Sequence, residues 1–152
     1  MKRFAFRLER LRELRERAER EQASVLGAAM REEQRERDGL ARAQAEYERI
    51  GEQAGQAAQS ATLPAGTLRN LDLARDAASV RIDAAADAVK EAQVRVGEEQ
   101  ERYGEKRRDL RVVEKLKEKR FEAWKDDASR AEQKDLDSVA LRRHATPNEE
   151  KP

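Results

Sequence analysis

Carboxylates and guanidinium groups are the side chains this sequence has in quantity for chemistry, since charged residues make up 43% of its 152 positions. Paired carboxylates act as general acid and base only in a concave, water-poor pocket that shifts their pKa values. The sequence holds a single histidine, His144, and no cysteine. A histidine-based metal site or triad within one chain is therefore excluded, as are disulfides and thiolate chemistry. No glycine-rich phosphate loop is present, neither GxGxxG nor GxxxxGK followed by Ser or Thr. The expected protein is not an enzyme and takes no cofactor.

The remaining chemistry is charge recognition. Arg107, Arg108 and Arg111, then Lys115, Lys117, Lys119 and Arg120, form the densest basic stretch. Glu105, Glu114 and Glu118 are interleaved with it, which suits i,i+4 pairing on a solvated helix. No aromatic ladder or zinc module accompanies it, so an acidic protein groove fits better than nucleic acid or membrane. Formal net charge is only +1, and no overall polyelectrolyte character calls for nucleic acid. Residues 1–20 carry eight Lys/Arg against four Glu, and residues 102–121 carry nine against four. The stretch between, residues 68–101, is net acidic.

What would position these charges is a pair of long helices. From Leu68, spacing of three and four gives Leu68, Leu71, Arg75, Ala78, Ile82, Ala85, Val89, Ala92, Val96, Glu99, Tyr103, Lys106, Leu110 and Val113. The same spacing earlier gives Leu40, Ala43, Tyr47, Ile50, Ala54, Ala57 and Ala61. The early part of the first helix reads as Phe4, Leu8, Leu11, Ala18, Val25 or Leu26, and Ala29, with Leu14 alongside. Glu33 and Glu36 then fall at inward positions, which predicts looser pairing there. Three Phe and one Trp are too few for a globular core, and so narrow a stripe needs a partner helix.

Between the tracts, Pro64 disfavours helix at Leu63 and Gly66 frees the backbone. Thr67 is the candidate N-cap of the second helix. The organisation predicted is an all-α antiparallel two-helix coiled-coil hairpin: helix 3–59, turn 60–67, longer helix 68–143, and a disordered tail over 145–152. Folding back about Leu63 sets residue i beside roughly 126 − i, which brings Phe4 and Phe6 to Phe121 and Trp124. Tyr47 falls near residue 79, beside Val80. Residues 126–143 lack a partner from the first helix but retain Ala128, Leu136, Val139 and Leu141. Leu63, Leu68, Leu71 and Leu73 leave apolar surface at the turn that could be a contact site. Gly27, Gly39, Gly51 and Gly55 either weaken the first helix or admit a close partner.

Arg75, Glu99 and Lys106 interrupt the second seam. They either snorkel to its solvated edge, the reading their long stems favour, or specify its register at a cost in stability. No apolar run approaches the ~20 residues needed to cross a bilayer. Arg7, Glu9, Arg10 and Arg12 also break up any signal peptide, so cytoplasmic residence is the expectation.

The two ends carry a further pattern. Phe4-Ala5-Phe6-Arg7-Leu8-Glu9-Arg10-Leu11 followed by Leu14-Arg15-Glu16-Arg17 resembles the opening of the FliJ family of flagellar type III export proteins. Val113-Glu114-Lys115-Leu116-Lys117-Glu118-Lys119-Arg120, Trp124, and Glu132-Gln133-Lys134-Asp135-Leu136-Asp137 resemble its C-terminal block, with Ser138 where Glu is frequent. The resemblance implies a two-helix stalk, similar to that of rotary ATPases, inserted in a hexameric export ATPase. It also implies a link to the cytoplasmic domain of the export gate, binding of substrate chaperones, and peripheral association with the inner-membrane apparatus. By this resemblance Arg7, Leu11, Arg15, Leu116, Lys119, Arg120, Phe121 and Trp124 would touch the ATPase ring. Leu40, Tyr47 and Ile50 with Leu71, Val80 and Ile82 would touch the gate. A virulence secretion stalk of the same architecture and a self-associating structural coiled coil are the alternatives.

Overall fold

Alanine and larger apolar residues recur at three-four spacing through residues 40–57 and 78–96, and along those stripes the chain pairs with itself. A computed structural model describes residues 3–60 and 64–145. It has two helices, α1 (Glu9–Ala58, 50 residues) and α2 (Ala65–Ala145, 81 residues), joined as an all-α antiparallel hairpin whose second helix is the longer. Two compact units are built from them, one from Met1–Ala18 and Arg107–Pro152, the other from Glu19–Lys106.

Among the described residues of the unit 19–106, the buried ones are Ile50 of α1 and Ala78, Val89, Ala92 and Val96 of α2. All five are seam positions. Ala92 is 0% exposed, so the helices approach too closely there for a larger side chain. In the other unit the buried seam residue is Val113. Between Ala78 and Val113 every position of the α2 seam is buried or half-buried, as the heptad spacing predicts.

The register follows the expected rule within each unit. Lys117 bonds Glu9, Arg81 bonds Glu46 and Arg95 bonds Glu32. These are solvent-exposed pairs, where screening leaves an ion pair little net stabilisation. They report the alignment more than they enforce it.

Three expectations need correction. First, α1 starts at Glu9, not near Arg3. No Ser, Thr, Asp or Asn stands among residues 3–8 to cap an earlier start. The first bonds are instead Glu9 N–H to Phe6 O at 3.0 Å and Arg12 N–H to Leu8 O at 3.0 Å, with Glu9 favourably placed at the positive end of the helix dipole. Second, α2 begins at Ala65, so Thr67 lies inside the first turn, where its N–H donates to Pro64 O at 2.9 Å. Proline fits at a helix start because its missing N–H would find no partner there. Third, Leu8, Leu11 and Leu14 are exposed, and of Val25 or Leu26 it is Leu26 that is half-buried, as are Ala18 and Ala29. Continuing the three-four spacing backward from Leu40 reaches Leu26, Gln22, Glu19, Arg15 and Arg12, all half-buried. From Arg12 to Gln22 the three-four series of α1 is polar.

The expected tip residue Leu63 lies outside the described residues, as do Ala61, Thr62 and the tail 146–152. None of the four α1 glycines makes a close approach. A Cβ on Gly51 would meet Arg75 at 4.0 Å, and one on Gly27 would meet Arg31 at 3.4 Å, both ordinary contacts.

Candidate protein-binding surfaces

In the unit of residues 1–18 and 107–152, residues 3–8 run ahead of α1 and lay Phe4 against α2. Phe4 meets Phe121 edge-on with ring centroids 5.2 Å apart, and Trp124 at 5.9 Å. Phe121 and Trp124 stack at 5.8 Å, one helical turn apart on α2. Beside these rings is an open cleft of about 820 Å³, lined among others by Phe6, Leu116 and Trp124 with Arg3, Arg7 and Arg120. Phe6 thus lines the cleft with Trp124, while Phe4 makes the ring contacts.

The charges around this cluster divide into two kinds. Arg12 bridges Glu9 at 2.8 Å and Glu16 at 3.2 Å, Lys117 reaches Glu9 at 2.8 Å, and Arg15 donates to Asp109 across the helix pair. These tie α1 to α2. Arg7, Lys119 and Arg120 are exposed, and Arg7 and Arg120 sit on the cleft rim. Of the residues expected at an ATPase contact, all eight fall in this unit, but Arg15 is already engaged with Asp109.

Lys117 first, then Arg12, hold the Glu9 carboxyl below the usual carboxylate range. A depressed folded-state pKa contributes stability above the unfolded value and loses it as pH falls through the folded one. Melting temperature should therefore decline as pH falls from the ordinary carboxylate range through the lowered Glu9 value. Glu9→Gln should flatten part of that decline in melts followed by circular dichroism, and an unchanged acid slope would refute the assignment.

In the unit of residues 19–106, the six residues expected at the gate divide sharply. Ile50 is buried at 9% exposure, and Leu40, Tyr47, Leu71 and Ile82 are half-buried seam residues. The Arg75 guanidinium lies 4.8 Å from the Tyr47 ring centroid, so Tyr47 meets Arg75 one turn before the position expected for it. Only Val80 of the six is open, at 67% exposure. It belongs to a second stripe on the outer face of α2, comprising Leu73 (62% exposed), Ala77, Val80 and Ala84, with exposed Asp72, Asp76, Asp83 and Asp87 beside it. The spacing of this stripe is four, three, four. The sequence places Leu73 at the turn and gives Ala77 and Ala84 no role in the first seam. The signal that finds them is a second heptad series out of phase with the first.

Among the described residues no group of His, Asp or Glu is arranged to hold a metal ion, and no helix is long and apolar enough to cross a membrane.

A family model described as the flagellar FliJ protein matches residues 4–149. The chain belongs to the FliJ family. No curated protein and no solved structure matches it. As a FliJ-family chain it takes its place in the flagellar export apparatus, in a family of non-enzymatic stalk and chaperone-type proteins. Both FliJ-like sequence blocks, Phe4–Leu11 and Val113–Arg120, fall in one unit, where Glu9–Lys117 and Phe4–Phe121 join them.

Proposed function

We propose that this FliJ-family chain is a stalk and adaptor of flagellar protein export that works by contact, with no catalytic step of its own. Its aromatic and basic end enters the ring of the hexameric export ATPase, promotes ring assembly and raises ATP hydrolysis. The carrying observation is the Phe4, Phe121 and Trp124 cluster with the Arg7 and Arg120 rim. An apolar floor with a cationic edge fits an acidic, partly apolar protein groove, where the edge steers encounter and the rings supply buried area. Leu11, Leu116 and Lys119 extend this surface.

The outer stripe of Leu73, Ala77, Val80 and Ala84 is the contact for the cytoplasmic domain of the export gate. A two-helix hairpin that needed only its own seam would carry polar residues there. Substrate chaperones are further partners, and the chain is held peripherally at the inner-membrane apparatus through its protein contacts. The family match favours the flagellar system over a virulence system of the same architecture.

Adding this chain to its cognate export ATPase at fixed ATPase concentration should raise phosphate release. No change across a titration to saturation would overturn the ring assignment.

A further inference from the structure

The α2 seam poses a problem of choice. Leu68, Leu71, Ala78, Ile82, Ala85, Val89, Ala92, Val96, Leu110 and Val113 would pair as well with the same stripe of a second copy as with α1. Apolar periodicity alone does not select the hairpin, because both arrangements bury the same stripe. The difference lies at the positions where the stripe is broken.

We propose that Arg75, Glu99 and Lys106 select the folded-back chain over parallel self-pairing of α2. In a parallel, in-register pair each seam residue meets its own copy. Arg75 would face Arg75, Glu99 would face Glu99, and Lys106 would face Lys106, three like-charge contacts in a partly dehydrated interface. The hairpin gives the first two of them complementary partners. Arg75 spreads over the Tyr47 ring at 4.8 Å. Glu99, whose side chain is only 15% exposed, accepts a hydrogen bond from Gln22 of α1, in addition to one from Arg102 within α2 at 2.6 Å. Next to it the Tyr103 hydroxyl donates to Glu19 of α1 at 2.8 Å.

The α1 seam obeys the same logic. Its inward positions at this level are Glu19 and Gln22, and further along Glu33 and Glu36, all half-buried. In the hairpin Glu19 and Gln22 find a hydroxyl and a carboxylate on α2. In a parallel α1 pair each glutamate would meet its own charge. The polar breaks therefore oppose self-pairing on both helices, and at Arg75, Glu99, Glu19 and Gln22 the hairpin offsets their cost with a partner on the facing helix.

The absence of native cysteine allows a direct test. Val96→Cys on the seam would lie beside its own copy in a parallel in-register pair. In the otherwise native chain the expected result is monomer mass by light scattering and no disulfide-linked dimer under mild oxidation. Combining it with Arg75→Leu, Glu99→Leu and Lys106→Leu should double the mass and give the cross-linked dimer as the main product. A folded triple variant that stays monomeric and uncross-linked at matched concentration would overturn the proposal. If the triple variant loses helical signal, Arg75→Gln with Glu99→Gln and Lys106→Gln removes the charges without adding apolar surface. A cross-linking yield that does not rise in that chain overturns the proposal equally.

Discussion

Glutamate at both Leu73 and Val80 is expected to abolish capture of this chain by the gate's cytoplasmic domain while leaving its unfolding midpoint almost unchanged. The two residues are 62% and 67% exposed on the outer face of α2, so neither contributes to the seam. Exposed substitutions of this kind ordinarily move stability by within about 0.5 kcal/mol. At an interface the same change is far larger. Two apolar anchors are lost and two carboxylates are pressed against the partner next to Asp76 and Asp83. A loss of about 2 kcal/mol or more at each anchor weakens binding by at least ~30-fold per site. Isothermal titration alongside a thermal melt would separate the terms. Ile50→Ala is the contrasting variant. Ile50 is a buried seam residue, and its truncation should cost about 2–5 kcal/mol and lower the melting temperature. Full gate binding by the Leu73 and Val80 double variant would remove the stripe as the contact.

That contrast also explains what the sequence could and could not reveal. The α2 seam was legible because its ten apolar members keep strict heptad phase, and phase is a property of spacing alone. The pairing of Phe4 with Phe121 and Trp124 followed from the turn position, because antiparallel register is fixed once the fold-back point is known. The early α1 seam was not legible. Leu11, Leu14 and Val25 draw attention as apolar residues, yet the inward positions belong to Arg12, Arg15, Glu19 and Gln22. Arg15, Glu19 and Gln22 are held by hydrogen bonds and ion pairs to Asp109, Tyr103 and Glu99, 94, 84 and 77 positions away, while Arg12 pairs locally with Glu9 and Glu16. Hydrophobic periodicity carries no trace of such pairs. Of the six residues expected at the gate, five lie buried or half-buried on the seam and only Val80 is open. Apolar character picks out seam residues readily, and being on the seam is what hides them. The start of α1 was misplaced for a local reason, the lack of any capping side chain among residues 3–8.

Removing the indole of Trp124 should separate the ring-binding end from the rest of the fold. Trp124 stacks on Phe121 at 5.8 Å and meets Phe4 at 5.9 Å, and its truncation leaves Phe4 with one ring to pack on. Trp→Ala in a full core costs about 3–5 kcal/mol. Trp124 is half-buried, so roughly half of that is expected, and it should be concentrated where residues 3–8 are anchored. The buried seam from Ala78 to Val96 lies in the other unit and keeps its own packing. Amide exchange should therefore quicken over residues 9–18 and 107–124 while staying slow over 78–96, and overall helicity should fall little. Stimulation of the export ATPase should fall at least tenfold, because the cleft loses its floor and the rim residues Arg7 and Arg120 lose their fixed separation. Trp124→Phe keeps an aromatic ring in place and should recover most of the activity. If Trp124→Ala frees the anchored segment yet stimulates fully, the aromatic cluster holds the hairpin end together and the ring contact lies on other residues of the chain.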